Sequence, residues 1–144
     1  MKNTITIVFL FLFSLGFAQS WTTDINNAKA TAAEQNKPIV LVFSGSDWCA
    51  PCIKLDKNVW QSEEFKAFAA EKLVLLRADF PKKKANALPE ALQTTNKALA
   101  EKYNQEGYFP LVVLLDAQGK VLAKKGYENQ NAAKYVAELQ ALLQ

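Results

Sequence analysis

Histidine is absent from the 144 residues, and cysteine occurs only twice. Without imidazole there is no Ser-His-Asp or Cys-His nucleophile and no His metal ligand, and two Cys are too few for a closed Cys-only zinc site. An excess of one charge is missing as well. Seventeen Lys and Arg face 14 Asp and Glu, and a net charge of +3 scattered along the chain does not point to nucleic acid as a partner. No repeat and no long Gly, Ser or Pro tract marks a linker, and 50% apolar with 22% charged residues is the balance of an ordinary globular protein. The chemistry therefore falls to carboxylates, lysines or the single cysteine pair.

What is present begins with a segment unlike the rest. Residues 5–17 form a 13-residue apolar run holding four of the nine Phe, preceded by Lys2 as its only nearby charge. As a helix it reaches roughly 20 Å, short of a ~30 Å hydrocarbon core. Gly16 and Ala18 are small residues at minus three and minus one of a cut before Gln19, so residues 1–18 are expected to be a cleaved secretory signal peptide rather than a membrane anchor. Removing 18 residues leaves 126, one domain spanning 19–144, with no second apolar stretch of membrane-spanning length. The mature chain is expected to be periplasmic or secreted, without stable membrane insertion, in a compartment where disulfide chemistry is active.

Periodicity then orders the elements. Trp21 to Asn36 reads as a helix capped by Thr23 or Asp24, and Ile39-Val40-Leu41-Val42-Phe43 as a central strand covered on both faces. A helical stretch from Ala50 to Ala69, kinked or interrupted between Asn58 and Ser62, leads to a second strand from Leu73 to Asp79, which is the pattern of a parallel crossover. The run Lys82-Lys83-Lys84 reads as solvated surface, since three adjacent charges do not make a docking claim. A helix within Pro89 to Asn104, a strand at Leu111 to Leu115, a hairpin return over Lys120 to Lys124 and a helix capped by Asn129 or Asn131 complete the chain. The expectation is an α/β sandwich: a four-stranded mixed sheet flanked by helices on both faces, with an extra N-terminal helix.

Trp48-Cys49-Ala50-Pro51-Cys52 stands where the first strand ends and a helix begins. Functional groups of open α/β sheets collect at such strand ends, and a helix N-terminus favours thiolate over thiol. Cys49 is thus the candidate nucleophile and Cys52, one helical turn on, its resolving partner; Pro51 suits the first turn, where its missing N–H is no loss. Two blander readings stand beside this one. A structural bridge closing so short a loop contributes only ~2 kcal/mol by loop entropy, and half of a zinc site shared between two chains is the other option. Trp48 reads as a partly exposed cover over the pair, and Trp21 and Trp60 as packing residues.

The motif is similar to the Trp-Cys-x-Pro-Cys motif of the thioredoxin superfamily, and the runs PIVLVFSGSDWCAPCIKLDKNVW and GYFPLVVLLDAQGKVL resemble the secreted members' approach to the motif and the family's cis-proline strand and hairpin. The likeness covers about residues 21 to 144. It implies the thioredoxin fold, with Pro110 as the cis-proline beside the cysteines and the Phe109 backbone offering strand-like hydrogen bonds to an extended substrate. It further implies a thiol:disulfide oxidoreductase that needs no bound cofactor and works as a reductase of protein or peptide disulfides. Outside the membrane such a reductase draws on a membrane-borne thiol donor. Electron flow in the other direction, as oxidase or isomerase, and a redox-inactive peptide-binding module are the alternatives.

Two departures from the family pattern stand out. The buried acid that many members carry in the strand before the motif is missing from Val40-Leu41-Val42-Phe43, leaving Asp47 as a candidate proton shuttle or a loop cap. Phe109 is bulkier than the residue usually found before the cis-proline. The stretch from Phe80 to Tyr103 is left as the region for partner specificity.

Overall fold

The computed structural model describes residues 20–144. The expected signal peptide and its cut after Ala18 lie outside them. The elements run β1 (Trp21–Thr22), α1 (Ile25–Gln35), β2 (Ile39–Ser44), α2 (Ala50–Leu55), a π-helical turn (Asp56–Trp60), α3 (Glu63–Lys72), β3 (Val74–Asp79), a 3-10 turn (Lys84–Asn86), α4 (Glu90–Tyr103), β4 (Leu111–Leu115), β5 (Val121–Lys125) and α5 (Ala132–Leu142). The sheet has the order β1-β3-β2-β4-β5. β2 lies parallel to β3 and antiparallel to β4, so the crossover and the hairpin expected from the sequence are both present.

Strand count is the main correction, five where four were expected. The helix expected from Trp21 starts only at Ile25, because the Asp24 carboxylate caps it by accepting from the N–H groups of Asn26 and Asn27. Trp21 and Thr22 ahead of that cap add a parallel edge to β3, opposite Leu75 and Leu76. A pair of residues this short takes its conformation from the strand it joins, and the indole of Trp21 packs edge-on against Trp60, 5.6 Å between centroids.

Alternation along the central strands fills two cores. Val40 and Val42 join Val112, Leu114, Leu55, Phe65, Tyr135 and Leu139 on the face covered by α2, α3 and α5. Ile39, Leu41 and Phe43 meet Leu76, Val113, Ala28 and Leu99 on the face of α1 and α4. Both sets are buried, which is why β2 reads as an unbroken apolar run. The interruption expected between Asn58 and Ser62 is the π-helical turn, after which Ser62 caps α3 by accepting from the Phe65 N–H. That break turns the chain so that Trp60 and Phe65 both reach the core, 4.5 Å between ring centroids.

Candidate functional site

β2 delivers its carboxyl end, Ser44, to a tight loop ahead of α2. Gly45 is required there: a Cβ on it would lie 2.3 Å from Cε2 of Trp48, so the indole folds back against bare backbone. Cys49 is the N-cap of α2, and Pro51 occupies the first turn as expected. Cys49 and Cys52 form a disulfide with Cα atoms 5.2 Å apart, and the Cys52 N–H donates to Cys49 Sγ at 3.3 Å. That N–H and the start of α2 face Cys49 Sγ, surroundings of the kind that favour thiolate over thiol. The two cysteines are 4% and 3% exposed, whereas Ala50 and Pro51 between them face solvent.

An aromatic rim surrounds the pair. Trp48, 38% exposed, donates from Nε1 to the Phe80 carbonyl at 2.7 Å and meets the ring of Phe109 edge-on at 5.4 Å. Phe80 meets the other edge of Phe109 at 5.5 Å. The Phe109–Pro110 peptide is cis. Pro110 is buried and shares with Cys52 the wall of a cavity of about 10 Å3 below the disulfide. Trp48, Phe109 and Pro110 are thus gathered around the cysteines, and the bulk of Phe109 is taken up between two other rings.

Asp47 is placed away from the sulfurs in chemical terms. Its carboxylate accepts from the backbone N–H groups of Lys82 and Lys83 at 2.9 and 3.0 Å and from Asn86 Nδ2 at 2.9 Å. The Lys82 N–H, then the Asn86 amide, hold its pKa below the ordinary carboxylate value. Asp79 ties the loops in the opposite sense, accepting from the Ser46 N–H at 2.9 Å.

A charged pair that sequence reasoning missed, Asp56 and Arg77, lies half-buried beside Cys52. Asp56 begins the π-helical turn one helical turn after Cys52, and its Oδ1 accepts from Arg77 Nη2 at 3.0 Å. Both side chains line the small cavity with Cys52 and Pro110, whose volume suits one water molecule. The Arg77 guanidinium also lies over the Trp21 ring, 4.6 Å from its centroid, with Nε buried and without a hydrogen-bond partner. The signal was available in two places: Asp56 falls four positions after Cys52, and Arg77 is the lone charge within Leu73 to Ala78. Neither is informative until β3 is laid beside β2, with Arg77 opposite Val42.

A sheet of this order, with a Cys-x-x-Cys turn at the end of its central strand and a cis-proline loop against it, defines a thioredoxin fold carrying a dithiol/disulfide pair. Comparison with known proteins is specific. A family model described as thioredoxin-like matches residues 20–117. Disulfide bond reductase DsbH of Chlamydia pneumoniae is 43% identical over 110 residues, 76% of this chain and 64% of that protein. Thioredoxin-related protein DsbJ of the same organism is 29% identical over 106 residues, 74% of this chain and 30% of that protein. The solved structure of a DsbH oxidoreductase aligns with a TM-score of 0.79 at 39% identity, covering 86% of this chain and 83% of that one. The chain therefore spans less than two thirds of the curated relatives it matches. This chain belongs to the thioredoxin-like family.

Proposed function

We propose that the protein is an extracytoplasmic thiol:disulfide oxidoreductase working as a reductase of protein or peptide disulfides. The observation that carries this is the Cys49–Cys52 disulfide capping α2 beside the cis Phe109–Pro110 peptide. The direction of electron flow is supported by the relative named as a disulfide bond reductase. The compartment is supported by the apolar residues 5–17 and the small residues Gly16 and Ala18. Among the described residues no helix is long and apolar enough to cross a membrane.

The reaction starts from the dithiol. Cys49 thiolate attacks one sulfur of the substrate disulfide, that S–S bond breaks, and the leaving substrate thiolate takes a proton from solvent. Cys52 then loses its proton and attacks Cys49 Sγ, releasing the second substrate thiol and leaving the Cys49–Cys52 disulfide. Two electrons have passed to the substrate, and a membrane-borne dithiol returns them. Asp56, oriented by Arg77 and facing the same small cavity as Cys52, is the acceptor for the Cys52 proton through one water; it takes the place of the strand acid that this chain lacks. Asp47 is a loop anchor, because its carboxylate is taken up by the Lys82 and Lys83 amides and Asn86 Nδ2.

The direct experiment uses residues 19–144 reduced with dithiothreitol, freed of reductant and mixed with insulin. Native protein is expected to cleave the insulin disulfides, and Cys52→Ser to stop at a covalent mixed disulfide on Cys49, detected by non-reducing electrophoresis and mass. No cleavage by the native protein and no adduct on Cys52→Ser would overturn the reading and leave a binding module.

A further inference from the structure

The loop after β3 and the first turns of α4 enclose a cleft of about 560 Å3 beside the aromatic rim. Its apolar wall includes Phe80, Pro81 and Leu88, and its basic lining is Lys82, Lys83, Lys84 and Lys97. The two carboxylates in the lining, Asp79 and Glu90, leave it positively charged, and Asp79 is already bonded to Ser46. Among the described residues none of these four lysines makes an ion pair, while Lys66, Lys72, Lys125 and Lys134 all do.

One buried side chain underlies the cleft. Asn96 is 1% exposed, and its Nδ2 donates to the Asp79 carbonyl at 2.9 Å, yet its Oδ1 has no partner. The Nδ2 bond fixes the carboxyl end of β3 against α4 beneath the cleft. The cleft is also continuous with the reacting sulfurs. Phe80 is at once its wall and a neighbour of Phe109, and the Lys82 ammonium lies 3.9 Å over the Trp48 ring. Asp47, by binding the Lys82 and Lys83 amides, fixes the loop backbone and takes up none of the lysine ammonium groups.

We propose that this cleft docks an acidic, extended stretch of the substrate polypeptide flanking its disulfide. Carboxylates of the stretch meet Lys82, Lys83, Lys84 and Lys97, and its apolar side chains lie against Phe80, Pro81 and Leu88. Opposite charge raises the rate of encounter and sets the orientation, while the uncharged rim leaves the sulfur chemistry unaltered. The assignment rests on the reductase reading for its substrate, but docking is measurable without turnover.

Two synthetic peptides share one sequence around an intramolecular disulfide and end in four Glu or four Gln. Reduced protein is expected to act on the Glu peptide with a kcat/KM about fivefold higher at low salt, a ratio that shrinks toward one at about 0.5 M salt. K83Q/K84Q/K97Q is expected to bring the ratio near one at low salt, whereas K29Q/K120Q/K134Q, which removes the same charge from residues outside the cleft, keeps it. Cysteine-free versions of both peptides are titrated into the oxidised protein by calorimetry. Glu-peptide binding lost in K83Q/K84Q/K97Q, without turnover of either peptide, removes the reductase reading and leaves the docking site standing. Equal binding and equal kcat/KM for the two peptides, or a preference that survives K83Q/K84Q/K97Q, overturns the docking site.

Discussion

The carboxyl ends of β2 and β3 lie side by side, paired residue for residue from Ile39 opposite Val74 to Ser44 opposite Asp79, and then leave the sheet with opposite characters. β2 passes into a turn whose one charge, Asp47, is already bonded and whose two sulfurs are almost wholly buried; β3 passes into a lysine-rich loop exposed to solvent. The first region has its chemistry built into covalent structure and helix geometry. The second has charge and space but no nucleophile. They are fastened to each other by reciprocal bonds: Asp47 of the first holds Lys82 and Lys83 of the second, and Asp79 of the second holds Ser46 of the first. The difference teaches that the cysteine pair and the proposed docking cleft stand at neighbouring strand ends, so each can be altered while the other is watched.

Breaking the first region has the largest effect. Cys49→Ser is expected to abolish disulfide cleavage, a loss of at least about 1,000-fold, because a hydroxyl at ordinary pKa is not a competent nucleophile toward sulfur. Insulin reduction measures it, with far-ultraviolet circular dichroism showing that the fold persists. Asp56→Asn comes next. Resolution of the mixed disulfide is expected to slow by about 10- to 100-fold near pH 7, and the deficit to narrow as pH rises and Cys52 ionises unaided. Stopped-flow decay of the mixed disulfide across pH separates this from a structural role, which gives a deficit independent of pH.

The fastening between the regions responds more gently. Gly45→Ala is expected to expel the Trp48 indole from its seat, at about 1–3 kcal/mol in stability, and to shift indole emission to longer wavelength. Chemical denaturation with fluorescence reads both. The smallest effect is the acid response of Asp47. Its folded pKa is depressed, so its anchoring is complete above the ordinary value of 3.8 and is lost as pH falls through the lower folded value. An NMR titration of the Lys82 and Lys83 amides is expected to give a midpoint below 3.8, and Asp47→Asn to remove the transition.

How far the sequence could be read followed how local each feature is. Cys49, Pro51 and Cys52 lie within one turn of chain, and the helix start that holds them comes one short loop after β2, so the motif carried its own context. The double-sided burial of β2 was equally plain in Ile39 to Phe43. β1 was hidden because two residues take their form from β3, not from their own propensity. Asp56 and Arg77 were hidden for a related reason, since 21 positions separate them and only the sheet brings Arg77 over the helix after Cys52. Asp47 was legible as a loop residue, though its partners at Lys82, Lys83 and Asn86 were not. The lysine run, read alone, was solvated surface; the cleft it lines exists only with α4 packed behind it.

The central claim is that Cys49 and Cys52 exchange electrons with other proteins in the reducing direction. The most direct test is a redox titration of residues 19–144 in thiol/disulfide buffers, followed by Trp48 fluorescence and by alkylation and mass of both cysteines. A fully reversible transition with a midpoint below about −230 mV is the result expected of a reductant fed by a thiol donor. A midpoint above about −180 mV would assign the opposite direction of flow, and a pair that yields only when the protein unfolds would contradict the redox account itself.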